Sequence, residues 1–234
     1  MMPSSQNKEK GTIYIVSTPI GNLEDITLRA LRTLREVDLI AAEDTRKTRK
    51  LLSYYQIAKP LTSYHDYNKI RKAPELIKKV AAGINLALVS EAGTPGISDP
   101  AYYLLQLAIE DDIRITPIPG PTALIAALSI SGLPTDRFVF EGFLPVKSGK
   151  RRKRLEGLKS EERTIILYEA PHRLLKLLAE IQTIFGEREM VIVKEVTKLY
   201  EKVYRGTIST ILEKLKAEKI QGEFTILIRA EHTK

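Results

Sequence analysis

The chain has 234 residues, with 37 basic against 29 acidic side chains and a formal net charge of +8. That length allows one large or two small α/β domains, while the lack of cysteine excludes disulfides, thiolate metal sites and a cysteine nucleophile. Only three histidines exist, His65, His172 and His232, which leaves no histidine-rich metal site.

No apolar run reaches membrane-spanning length and Met1 to Lys10 is polar, so the sequence reads as a cytoplasmic protein with no membrane partner. Thr12 to Val16, β-branched and aromatic, predicts a buried first strand ended by the loop Thr18-Pro19-Ile20-Gly21-Asn22. Leu28, Leu31 and Leu34 predict a helix capped by Asp25 or Thr27. Val37 to Ala42 predicts a second strand, ending in Glu43-Asp44-Thr45-Arg46. Those four polar residues suit either a functional strand end or a helix cap formed by Asp44 or Thr45. A basic helix to about Tyr55 follows, then a strand to Tyr64 and a helix from Ile70 to Ala82, with His65 between them.

Leu86 to Val89 predicts the strand that feeds the loop Ser90-Glu91-Ala92-Gly93-Thr94-Pro95-Gly96-Ile97-Ser98-Asp99-Pro100. The next helix should start there, with Ser98 or Asp99 as N-cap and Pro100 at the first helical position. Ile113 to Ile118 is a further strand, ended by Pro119-Gly120-Pro121-Thr122. The alternation of strands and helices argues a parallel sheet covered by helices. One Gly/Pro loop is an ordinary βα turn; three at the same kind of junction, facing one sheet edge, make a cleft with open backbone N–H groups.

Thr122 to Ser131 predicts a small apolar helix leading into a second unit, so the domains are read as 11–120 and 121–234. Strands are expected at Arg137 to Glu141, Thr164 to Tyr168, Met190 to Val193, Lys202 to Tyr204 and Phe224 to Ile228. Helices are expected after Pro145, along Leu174, Leu177, Leu178 and Ile181, and from Thr207 to Ala217. The run Lys147 to Arg154 holds six basic residues and no acid before Glu156, which points to a polyanion. No dinucleotide fingerprint, Walker A loop, nucleophile elbow or zinc-protease motif appears. The Gly/Pro loops therefore suit a ligand read by backbone groups and apolar walls.

In this order, Thr18-Pro19-Ile20-Gly21-Asn22-Leu23, Glu43-Asp44-Thr45-Arg46, Ser90 to Pro95, Pro119 to Thr122, Phe140-Glu141-Gly142-Phe143-Leu144-Pro145 and Tyr168-Glu169-Ala170-Pro171-His172-Arg173 form a set. It resembles the small-subunit ribosomal RNA methyltransferases of the tetrapyrrole-methylase-like superfamily, from about Gly11 to Arg229. The resemblance implies two α/β domains, S-adenosylmethionine in the cleft between them, a homodimer, and no metal. It implies a 2′-O-methylated cytidine in the decoding region of 16S ribosomal RNA as product, with that RNA or the small ribosomal subunit as partner. Some members carry a further C-terminal helical segment, which has no counterpart in this sequence. For the donor it nominates Pro19, Gly93, Thr94, Ile97, Ser98, Thr122, Ala123, Glu169 and Ala170.

A ribose hydroxyl is a weak acid, so its attack needs in-line positioning and removal of a proton. Glu195, Lys194 and Lys198 are candidates, in a Lys-Glu-Val-Thr-Lys loop where the family has Leu at position 196. An ordinary charged turn would give the same residues. Asp44 is a fourth catalytic candidate, and Glu43, Arg46, Arg151, Arg152 and Lys153 are read as substrate-binding. Two other readings remain open: a methylase of a tetrapyrrole or other small molecule, and a non-catalytic RNA-binding protein.

Overall fold

A computed structural model describes residues 9–230; Met1 to Lys8 and His232 lie outside them. The chain divides into two compact units, the first ending at Thr122 and the second beginning at Ala123.

In the first unit β1 (Thr12–Val16), β2 (Leu39–Ala42), β3 (Leu61–Ser63), β4 (Leu86–Val89) and β5 (Arg114–Ile118) form a parallel sheet in the order β3-β2-β4-β1-β5. Helices α1 (Leu28–Glu36), α2 (Thr45–Tyr54), α3 (Lys69–Ala81) and α4 (Ala101–Glu110) connect successive strands. Such a sheet is covered on both faces, which is why β4 is buried throughout. Successive residues divide between the two layers. Ile13, Ile15, Leu86 and Leu88 pack with Leu76 and Val80 of α3 and Leu104 of α4, whereas Val16, Ile40, Ala87 and Val89 pack with Leu34 of α1 and Leu52 of α2.

Several boundaries differ from the sequence reading. Val37 is the C-cap of α1 rather than strand, its N–H bonded to Thr33 O. Thr27, not Asp25, caps α1 by accepting the Ala30 N–H, and Leu28 points to solvent at 86% exposure. Helix α4 starts one residue later than expected, with Pro100 itself at the cap position. The reason is Asp99, whose carboxylate reaches back to the Gly96 N–H (2.8 Å) and forward to the Ala101 N–H (2.9 Å).

The second unit opens with α5 (Ala123–Ser129) and holds β6 (Phe138–Phe143), α6 (Ser148–Leu158), β7 (Thr164–Glu169), α7 (Pro171–Phe185), β8 (Glu189–Lys194), β9 (Lys202–Thr207), α8 (Ile208–Lys216) and β10 (Phe224–Ile228). Its sheet runs β6-β7-β10-β8-β9, with β6 and β7 parallel and the other neighbours antiparallel. One core joins Leu155 of α6, Leu174, Leu178 and Ile181 of α7 and Ile211 of α8 to Ile165, Ile192 and Ile226 of the sheet. Each such side chain contributes about 1.5–3 kcal/mol of burial. Gly142 and Phe143, beyond the strand expected at Arg137 to Glu141, continue β6 past a register shift between Phe140 and Gly142.

The largest correction is Arg151. It is 4% exposed and belongs to the interior, not to a polyanion surface. Its Nε and Nη2 donate to the two carboxylate oxygens of Glu180 (2.6 Å each), and Nη1 donates to Val146 O (2.9 Å). On α6 it shares the inner side with Leu155 and Leu158, while Arg152 and Lys153 face solvent.

Removing one partner of a buried, hydrogen-bonded pair leaves the other charge uncompensated. Glu180→Ala should therefore lower the unfolding free energy by about 3–5 kcal/mol, against at most about 0.5 kcal/mol for Arg152→Ala on the outer face. Urea titration of the two variants at neutral pH is the measurement, and equal shifts would contradict the pairing. The hydrogen bonds from Arg151 hold the Glu180 carboxyl below its ordinary value of 4.5. The pair's contribution should thus be complete above that value and vanish as acid protonates the folded carboxylate.

Candidate active site

Parallel strands end without a partner for their last backbone groups, and the first unit solves this with its loops. Beyond the carboxyl ends of β1 and β4, Thr18 and Gly93 form an isolated antiparallel bridge, each N–H donating to the other's carbonyl (2.9 and 3.0 Å). The Ser17 N–H donates to Ile118 O at the end of β5 (3.2 Å). The Thr94 hydroxyl donates to Pro121 O (3.3 Å), so the 2.8 Å contact between Ser17 Oγ and Thr94 Oγ1 has Ser17 as donor. The three Gly/Pro junctions expected to face one sheet edge are therefore joined there. Gly93 has φ +85°, and a Cβ at that position would meet Ile20 Cγ2 at 3.4 Å. Gly120 packs still closer, because a Cβ there would lie 2.8 Å from Ser17 Cβ.

Of the sequence-nominated donor residues, Pro19, Gly93 and Thr94 lie in or beside this knot, whereas Ile97 and Ser98 are exposed on the outer part of the loop. Ser98 adopts φ +65°, a strained conformation for a side chain that can cap only locally. Sequence reasoning passed over Ser17 and Thr18. Thr18 Oγ1 is buried without a hydrogen-bond partner, and the available signal was two hydroxyl residues directly between a buried strand and a Pro-Ile-Gly turn.

At the end of β2 the four polar residues divide their roles. Asp44 caps α2, its Oδ1 accepting the Arg46 and Lys47 N–H groups (2.7 and 3.3 Å). The hydrogen bonds from the Arg46 side chain and backbone hold Asp44 below the ordinary carboxylate range, which makes it a poor proton acceptor. Glu43 differs. It is half-buried, accepts the Glu91 N–H (3.1 Å), and is raised above its ordinary value by burial and then by Asp99 and Asp66. Arg46 reaches solvent beside Asp44 (3.3 Å), and the neighbouring His65 has a buried Nδ1 without a hydrogen-bond partner.

In the second unit Glu169 ends β7, fully buried, and Ala170 alone separates it from Pro171 at the start of α7. Burial raises its carboxyl despite the Ala170 N–H (2.8 Å) and Arg173 (3.2 Å) on Oε1. Glu169 Oε2 and Thr122 Oγ1 are buried and lack hydrogen-bond partners. Ala123 starts α5, whose next N–H, Leu124, donates to the Tyr168 hydroxyl (2.9 Å).

The Lys194 to Lys198 loop is a tightly braced turn. Glu195 and Thr197 both have positive φ (52° and 67°). Glu195 Oε1 accepts from Lys198 Nζ (2.9 Å) and from the Glu223 N–H (2.8 Å), and Lys198 also reaches Glu223 Oε2 (2.8 Å). Burial pushes Glu195 up, but Lys198 and the Glu223 N–H outweigh it and hold the carboxyl low. Burial pushes Lys198 down, and the two glutamates more than restore its charge. These groups can hold or orient a polar ligand; Glu195 is a weak base. Arg152 and Lys153 are exposed on α6, in contrast to Arg151. Among the described residues no group of three or more His, Asp or Glu side chains could hold a metal ion, and no helix is long and apolar enough to cross a membrane.

Residues 12–212 match the family model described as tetrapyrrole (corrin/porphyrin) methylases. The chain is 55% identical over 93% of its length to a Synechocystis protein named ribosomal RNA small subunit methyltransferase I, covering 78% of that relative. It is 46% identical over 93% of its length to the Thermotoga maritima protein of the same name, covering 98% of it. Among solved structures it is similar to a Thermus thermophilus uroporphyrin-III C-methyltransferase complexed with S-adenosyl homocysteine, at TM-score 0.65 and 19% identity over 94% of this chain and 98% of that one. A diphthine synthase aligns at TM-score 0.76 and 13% identity, over 96% and 92% of the two chains. These two likenesses concern the fold.

The braced turn makes a direct prediction. A Cβ on Gly222, which has φ +94°, would lie 2.6 Å from Glu195 Cγ. Gly222→Ala should therefore add expulsion of Glu195 to a backbone strain of about 1–3 kcal/mol. Gly186→Ala carries comparable strain (φ +71°) with nothing within 4 Å. Hydrogen exchange should show the Glu223 amide losing protection in the first variant and keeping it in the second; equal protection would remove the brace.

Proposed function

Because the chain belongs to the tetrapyrrole (corrin/porphyrin) methylase family, and within it to the ribosomal RNA small subunit methyltransferase I proteins, we propose that it moves a methyl group from S-adenosylmethionine to the ribose 2′-hydroxyl of a cytidine in the decoding region of 16S ribosomal RNA. The observation that carries this reading is identity of 46–55% to proteins of that name across nearly the whole chain. The joined Gly/Pro loops of the first unit support it chemically.

S-adenosylmethionine, when bound, supplies a methyl already activated by the sulfonium charge. The residues present suit such a ligand. In the first unit Thr18 and Thr122 offer hydroxyls that are buried and lack protein partners, a costly state unless a ligand group completes them; in the second unit, taken by itself, one Glu169 carboxylate oxygen is in the same state. The Gly93 to Ser98 loop offers backbone groups held by the Thr18–Gly93 bridge. Thr94, Ile97 and Ser98 along that loop, and Pro19 in the loop after β1, then contribute shape more than specific bonds, and Ala123 and Ala170 present backbone at two helix starts.

The hydroxyl's proton needs an acceptor, and environment ranks the candidates. Glu43, raised by burial and by neighbouring carboxylates, is the most basic of the carboxylates considered for substrate. Asp44 and Glu195 are held low by hydrogen bonds. Lys194, Glu195 and Lys198 therefore serve to position substrate, and Arg46, Arg152 and Lys153 contact phosphate.

Mass-spectrometric mapping of 16S ribosomal RNA from a strain lacking the gene should show one 2′-O-methylcytidine missing from the decoding region and restored with the gene. Loss at a base carbon or nitrogen, or no change, would reject the assignment. Gly93→Val should remove S-adenosylmethionine binding in calorimetric titration by displacing the bridge, while unfolding stays cooperative. Unchanged affinity would take this loop out of the donor site.

A further inference from the structure

The second unit carries an open groove of about 430 Å³ between β6 and α6. It owes its shape to the irregularity in β6. The register shift beside Glu141, with Gly142 at φ +60°, re-aims the strand end. Glu141 turns toward α6, where Arg154 grips it with Nε and Nη2 (2.6 and 2.5 Å). Phe143 is left 55% exposed at the groove wall.

Phe143 is exposed without being loose. Its ring sits 5.7 Å from that of Tyr168, which meets Phe140 edge-on at 4.9 Å. The Tyr168 hydroxyl is fixed in turn by the Leu124 N–H. A backed aromatic ring with an open face is a stacking platform, and every nucleobase offers a π-face. Leu144 and Pro145 continue the apolar wall. Lys150 and Lys153, three residues apart on α6, line the other side and have no ion-pair partner among the described residues. Arg154, neutralised by Glu141, braces the groove and adds no free charge.

We propose that this groove seats one unstacked base of single-stranded RNA on Phe143, with its phosphates on Lys150 and Lys153. The inference rests on the ribosomal RNA reading above and narrows it: the substrate must present a splayed nucleotide here. A duplex cannot, because its bases are stacked and paired and its major groove is too deep and narrow for side chains. An acidic peptide would satisfy the two lysines but leave the ring face unused.

The chain contains no tryptophan, so Phe143→Trp places a single tryptophan in the groove, excited selectively at wavelengths where the tyrosines do not absorb. A short unstructured oligoribonucleotide should quench it saturably, and the same sequence as a duplex should not. By fluorescence anisotropy with labelled oligonucleotide, Phe143→Ala should weaken binding about 5- to 150-fold with the salt slope kept. Phe143→Leu, which keeps apolar bulk, should behave like the alanine variant if the ring stacks. Lys150→Ala with Lys153→Ala should instead reduce the salt slope by about 1.4. Equal quenching by duplex or by an oligoglutamate peptide would overturn the proposal. So would wild-type affinity in Phe143→Ala or Phe143→Leu, with the ribosomal RNA reading left standing. Wild-type protein that binds no RNA at low salt would remove both.

Discussion

Parallel strands can be hydrogen-bonded along their length, but their ends cannot be closed by a hairpin. Five strands stop at one edge of the first unit, and the chain must satisfy their terminal N–H and C=O groups in loops. The Thr18–Gly93 bridge does this for β1 and β4, and Ser17 extends the pairing to β5. The consequences reach well beyond two hydrogen bonds. Glycine is required at 93 by its positive φ and at 120 by the approach of Ser17. Thr94 is placed to link Ser17 with Pro121. Three loops distant in sequence become one joined edge, in which Thr18 Oγ1 and Thr122 Oγ1 are buried without a hydrogen-bond partner. A ligand there meets preset backbone geometry and loses little affinity to ordering the loops.

Much of the first unit was legible because its physics is local. Continuous apolar runs mark parallel strands, Gly and Pro mark their ends, and Thr27 and Asp44 cap helices through residues two or three positions away. The second unit was less so. Its strands were recognisable, but the order β6-β7-β10-β8-β9 depends on long-range pairing that residue pattern does not encode. Arg151 shows the same limit in one residue. Inside a run of six basic residues it looks like its neighbours, and only Glu180, 29 positions away, makes it an interior group. Helical spacing held a hint, since Arg151, Leu155 and Leu158 share one side of α6.

Charge in this protein is therefore better described by pairing than by the net value of +8. On α6 alone, Arg151 is bound to Glu180 and Arg154 to Glu141, whereas Lys150, Arg152 and Lys153 have no ion-pair partner among the described residues. Two arginines fix the helix to its own unit through bidentate geometry, which a lysine could not reproduce. The others remain hydrated and available to phosphate. The basic run thus divides into paired and unpaired residues that composition cannot separate, and a charge-removal experiment that includes Arg151 would confuse unfolding with any lost binding.

The carboxylates make the complementary point. Glu195 and Glu43 are the same residue type at comparable strand-end positions of their respective units, and hydrogen-bond supply separates them. Glu195 receives an ammonium and a backbone N–H on one oxygen, so its charged form is favoured and its affinity for a proton falls. Glu43 receives one backbone N–H, loses solvent, and faces Asp99 and Asp66, so its charged form is disfavoured. A motif such as Lys-Glu-Val-Thr-Lys invites a catalytic reading because it concentrates charge. In the folded chain Glu195 and Lys198 also brace a turn with positive φ at Glu195 and Thr197, packed closely against Gly222. The raised proton affinity of Glu43 comes from burial and from Asp99 and Asp66, a property set by three-dimensional neighbours and invisible in the motif itself.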